Sequence, residues 1–137
     1  MDLLNLPPLN TFAIYAALNG LILLFLAVMV VRQRVLTRTD IGDGGHDAMI
    51  QVQRAHGNAS EYVPIVLILL FTLVQLSAPL WMIHTVGATL TVGRILHAVG
   101  LYETKGRSVG RFAGINLTWL ALLIAAAGSL YLAVATV

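Results

Sequence analysis

Residues 11–31 read TFAIYAALNGLILLFLAVMVV and hold no charge. Comparable apolar runs occupy roughly 62–77, 80–101 and 112–135, the first of these continuing from a polar beginning near residue 46. A helix needs about 20 residues to cross a bilayer, and each run approaches that length. Inside lipid the backbone must satisfy its own hydrogen bonds, which favours helices, and the ~10-residue alternation of a barrel strand is missing. The predicted fold class is therefore all-α, an integral membrane four-helix bundle. Its helices are expected over about 11–36, 46–77, 80–102 and 110–135, in one domain covering 1–137.

Composition supports this. The chain is 58% hydrophobic and 10% charged, whereas soluble domains carry about 25% charged residues. No soluble fold of this size has interior enough for so much apolar surface. Cysteine is absent, so any thiol chemistry has to come from a ligand. A net charge of +2 with no basic patch among aromatics excludes a nucleic-acid footprint.

All eight Lys and Arg residues fall in two windows. Arg32, Arg34, Arg38 and Arg54 surround the first connection, and Arg94, Lys105, Arg107 and Arg111 surround the third. The second connection, LSAPLW, is uncharged. The positive-inside rule places connections one and three in the cytoplasm and both termini on the opposite side. Trp81 and His84 read as interfacial residues at the outer end of helix 3. Before the first run the only charge is Asp2, so that stretch does not read as a secretory leader. Asn10 or Thr11 is expected to cap helix 1, and Asp43 or Asp47 helix 2.

The informative stretch is RAHGNASEYVP at 54–64, which runs directly into IVLILLFTLVQL. At about 100° per residue, Asp47, Gln51, Arg54, Asn58 and Glu61 form one line along one helix face, bordered by Tyr62. His56 lies on roughly the opposite side. An ionisable group at membrane depth costs ~2.5–3.5 kcal/mol, so such groups normally face other helices or a wet cavity. Two readings remain: a polar seam binding helices together, or a pocket for a charged ligand. Arg54 and Glu61 are ~10 Å apart along the axis, too far to neutralise each other. In sequence they offer a cation, an amide and an anion, the series a small zwitterionic peptide requires. Helix 3 adds Arg94 and His97 at i, i+3, with Leu101 continuing that face and Tyr102 about 100° further round. No spacing matches a compact metal site.

The helix 2 stretch resembles the pattern R-A-x-x-N-x-x-E-[YT]-x-P of the MAPEG proteins, the membrane-associated proteins in eicosanoid and glutathione metabolism. GDGG at 42–45 and GRILHAVGL at 93–101 are similar to the small bacterial members, and the likeness spans essentially the whole chain. The resemblance implies a homotrimer of four-helix protomers in a bacterial inner membrane. It implies glutathione as co-substrate, bound between protomers near the cytoplasmic side, and a lipophilic electrophile or lipid arriving from the bilayer. Position by position it implies glutathione contacts at Arg54, Asn58, Glu61, Tyr62 and His97, at Arg32 or Arg34 on helix 1, and at Ser108 and Tyr102. Arg107 resembles the arginine that faces the thiol. The sequence departs from the family at Gly57, where some relatives carry arginine. It departs again at Leu101, where a tyrosine is expected and Tyr102 comes one residue late. The implied function is a glutathione transferase or peroxidase, and a non-catalytic lipid- or glutathione-binding module of the same fold is the alternative.

Overall fold

A computed structural model describes residues 5–103 and 108–135. Four helices follow one another: α1 (Pro8–Thr37), α2 (Asp47–Gln75), α3 (Leu80–Glu103) and α4 (Val109–Ala135). No strand occurs among the described residues.

Helix α1 begins at Pro8, earlier than the expected Asn10 or Thr11 cap. Proline suits a first helical turn, where its missing N–H would have no partner. Thr11 is already inside the helix and buried. At the other end Arg38 adopts a left-handed conformation (φ 51°) and Thr39 N donates to Arg34 O at 3.1 Å, closing the helix on its own carbonyls. Ser77 (φ 56°) ends α2 the same way, with Ala78 N bonded to Leu73 O at 2.9 Å.

The expected aspartate caps of α2 are not formed. His46 holds the capping position without a side-chain bond. Asp43 Oδ1 instead accepts from Gly45 N at 2.9 Å, a local turn that competes with capping. Gly42, Gly44 and Gly45 all have positive φ, so the glycine-rich connection is built from conformations side chains rarely tolerate.

Three helices are long and apolar enough to cross a membrane: α1, α2 and α4, with mean hydropathies of 2.5, 1.6 and 2.0 over their best windows. The fourth expected span, α3, forms a 24-residue helix but is not one of them, because Arg94, His84, His97 and three threonines dilute its apolar content.

The interior divides along the bundle axis. One half is apolar, with Val66, Leu70, Leu73, Ile83, Val86 and Leu90 fully buried. Toward the other end a smaller cluster joins Leu26, Ala55, Ala59 and Leu101. Leu101 thus packs inward, as its place on the Arg94–His97 face predicts. The outside carries Leu21, Leu24, Phe25, Leu123 and Leu130, each at least 60% exposed, a surface suited to lipid.

Helices α3 and α4 approach closely through glycine. A Cβ at Gly114 would stand 2.4 Å from His97 N, and one at Gly100 would stand 2.4 Å from Arg111 N. Small residues let two membrane helices touch backbone to backbone. That contact sets the positions of the polar side chains described next.

Candidate functional site

Arg94 is fully buried between three helices. Its Nη1 donates to Asn58 Oδ1 on α2 at 2.9 Å and, at 3.4 Å, to Thr118 Oγ1 on α4. Its Nη2 lies 3.5 Å from His97 Nδ1, one turn along α3. Thr118 is itself fully buried and donates to Gly114 O at 2.9 Å. The close Gly93–Gly114 approach brings α4 near enough for Thr118 to reach the guanidinium. Nε of Arg94 is enclosed without a partner among the described residues.

The polar line on α2 is split by burial. Asn58 and Tyr62 are half-buried, while Arg54 and Glu61 are exposed on the protomer. Among the described residues neither Arg54 nor Glu61 has a hydrogen-bond or ion-pair partner. Two opposite charges therefore stand on one face of a membrane-grade helix, flanking an amide held from behind. Pro64 lies one turn beyond. Lacking an N–H, it leaves the carbonyl of Ser60 without its helical donor.

Next to this face is a cleft of roughly 440 Å³ between α1, α2 and α3, walled by Phe25, Leu26, Met29, Val52, Ala55, Ala98 and Val99, with Arg32 and Gln51 as its polar members. Gln51 is the member of the α2 line that also faces this cleft. The two candidate arginines of α1 have different surroundings. Arg34 Nη1 donates to Thr39 O at 3.3 Å and Asp40 O at 2.8 Å, tying off the end of α1. Arg32 faces the cleft.

Ser108 binds α3 to α4: its Oγ donates to Gly100 O at 2.9 Å and accepts from Arg111 N at 3.2 Å. Its proton is engaged in this capping arrangement. Arg107 and the side chain of Tyr102 lie outside the described residues. No group of three potential metal ligands is present among the described residues.

A second polar cluster sits in the other half. Tyr15 Oη and His84 Nδ1 are 3.0 Å apart, and Asn19 Nδ2 donates to Tyr15 O and Thr91 Oγ1, each at 2.9 Å. His84, expected near the outer end of the bundle, is thus also a helix-to-helix contact. Its Nε2 is enclosed and unpartnered.

The sequence put Asn58 on one face of α2 and Arg94 with His97 on one face of α3, and the structure brings the two faces together through the Arg94–Asn58 bond. The sequence carried no sign of Thr118, a single threonine in an apolar run. Nor did it distinguish the buried Arg94 from the exposed Arg54, since both interrupt apolar surroundings in the same manner.

Comparison with known proteins agrees with this architecture. No solved structure matches the chain. The inner membrane protein YecN of Escherichia coli strain K12 is 37% identical over 119 residues, covering 87% of this chain and 89% of that protein. The YecN protein of Escherichia coli O6:H1 strain CFT073 is similar to the same extent. Residues 12–131 match the MAPEG family profile. With the family pattern spanning all four helices, the chain is a membrane protein of the MAPEG family.

Proposed function

We propose that this protein is a membrane-embedded glutathione-dependent transferase or peroxidase, working as a homotrimer in a bacterial inner membrane. The observation that carries the reading is the exposed Arg54–Asn58–Glu61 line, braced from behind by a fully buried arginine. Exposed ion-forming groups on an otherwise apolar helix are costly unless something covers them. A neighbouring protomer and a zwitterionic peptide between them cover both charges. Arg54 suits a ligand carboxylate, Asn58 a peptide group, and Glu61 an ammonium. Tyr62 and His97 border the same space.

The chain supplies no cysteine, and glutathione brings the thiol. The thiolate is the reactive form, and an adjacent guanidinium stabilises it by Coulomb attraction where water is scarce. Arg107 is assigned this role, with Tyr102 and Ser108 nearby in sequence. The thiolate sulfur attacks the electrophilic carbon of a lipophilic acceptor, forming a C–S bond and pushing the electron pair onto the leaving group or the adjacent atom. The 440 Å³ cleft opening between α1 and α3 offers that acceptor an apolar place beside the α2 face. The basic connections and the site lie on the cytoplasmic side, with both termini opposite.

The cleft also favours a second reading, a lipid-binding module without chemistry, because its walls are apolar apart from Arg32 and Gln51. Glutathione-dependent conjugation of a chromogenic electrophile by the purified protein separates the two. Activity together with a thiolate absorbance lost in Arg107→Ala, but kept in Lys105→Ala, supports the enzyme. Tight lipid binding with no thiolate signal and no turnover supports the module.

A further inference from the structure

Arg94 is the least exposed cation among the described residues, and its three polar contacts share one property. A guanidinium donates and cannot accept. Every group that meets it must therefore turn an acceptor toward it. Asn58 turns Oδ1, at 2.9 Å. That leaves the Nδ2 amino group pointing away, and among the described residues nothing accepts from it. His97 turns Nδ1, at 3.5 Å. A neutral imidazole accepting at Nδ1 carries its proton on Nε2, so His97 also shows a donor on its far side. Thr118 accepts from Arg94 while giving its own proton to Gly114 O. The network has one proton arrangement, with acceptors inward and donors outward. No carboxylate lies within salt-bridge distance of Arg94 among the described residues.

We infer that Arg94 is a positioning residue that fixes the hydrogen-bond polarity of the site, so that Asn58 and His97 both present donors and the subsite they form accepts an anionic, acceptor-only group. In glutathione that group is the thiolate or a carboxylate, in place of the peptide group that the α2 line alone would give Asn58. It is not the ammonium, which Glu61 takes. The inference rests on the glutathione reading for the identity of the ligand, but its polarity statement concerns this chain's own side chains. Lysine at this position preserves the sign of the device, because an ammonium also only donates. Glutamine does not, because an amide can pair with Asn58 in either sense and lets it flip.

The test has a readout independent of ligand. Nitrogen-15 NMR of histidine-labelled protein in micelles, with His97 assigned through His97→Gln, is expected to show the Nε2–H tautomer. That signature is expected to persist in Arg94→Lys and to become a mixture in Arg94→Gln. For binding, Asn58→Asp is the decisive variant. It keeps the shape, forms an ion pair with Arg94 and removes the outward donor. Above neutral pH it is expected to weaken glutathione about tenfold to a hundredfold, with folding stability unchanged or higher. S-methylglutathione distinguishes the two anionic groups. If it is insensitive to Asn58→Asp, the group held is the thiolate; if it loses affinity equally, the group is a carboxylate. Full glutathione affinity in Asn58→Asp, or an Nδ1–H tautomer at His97 in the parent, overturns the inference. An Nε2–H tautomer in a parent protein that fails to bind glutathione at all leaves the polarity assignment standing and removes the proposed function instead.

Discussion

Gly114→Ala tests whether the α3–α4 contact holds the site together. The added Cβ would meet His97 N at 2.4 Å, Gly93 O at 2.6 Å and His97 Cα at 2.7 Å. All three are backbone atoms, so no side chain can swing aside. Ordinary contact begins at 3.4 Å, and relief requires the helices to part by roughly 1 Å. The Arg94–Thr118 bond is already 3.4 Å long, and a displacement of that size along it takes it out of hydrogen-bonding range. Overpacking of this kind costs ~1–3 kcal/mol, and losing the bond adds ~0.5–1.5 kcal/mol. Alanine's better helix propensity returns at most ~1 kcal/mol. The net expectation is a loss of roughly 0.5–4.5 kcal/mol. Unfolding of the micelle-solubilised protein by SDS titration measures it. Gly20→Ala is the control, since a Cβ there meets nothing within 4 Å. Equal stability of Gly114→Ala, Gly20→Ala and the parent would refute the claim that this backbone contact is tight.

Two further outcomes follow from the geometry. Arg54→Ala and Glu61→Ala are each expected to weaken glutathione binding by ~2–5 kcal/mol, and His56→Ala much less, because His56 lies off the polar line; calorimetry on the three variants checks the helical phase, and unchanged affinity in a folded Arg54→Ala sinks the pocket. Single cysteines introduced at Ile41, in the connection before α2, and at Gln75, the far end of α2, both exposed, are expected to react with a membrane-impermeant maleimide only at position 75 in intact spheroplasts, and labelling at 41 alone reverses the orientation.

Much of the fold was legible because lipid simplifies the code. Apolar length alone located the helices, and the uncharged LSAPLW against two basic connections gave the expected orientation. Within the site, periodicity placed Asn58 on the Arg54–Glu61 line and His97 on the Arg94 face, because a three- or four-residue step is short enough for helical phase to survive; that these two faces meet is seen only in the Arg94–Asn58 bond. What it left open depends on contacts between helices. Thr118 enters the site through the Gly93–Gly114 approach, and no pattern within α4 signals that. Arg34 and Arg32 are two residues apart with the same chemistry, and only the closing geometry of α1 decides which one the loop carbonyls take. The partner of His84 was equally hidden, because Tyr15 stands 69 positions earlier in the chain.

The shortfall of α3 in hydropathy bears on how the protein is made. The other three helices can each partition into the bilayer on their own merits as they leave the ribosome. A segment carrying a buried arginine and two histidines has no such independence. Its contacts to Tyr15 and Asn19 on α1, to Asn58 on α2 and to Thr118 on α4 replace the hydration it gives up. Its entry into lipid is thus a folding event that depends on helices already there. Arg94 gains its full set of partners only when α2 and α4 are both beside α3. A substitution that weakens any one of these contacts is then expected to act first on biogenesis, as a lower yield of membrane-inserted protein rather than as a lost activity of protein that has matured.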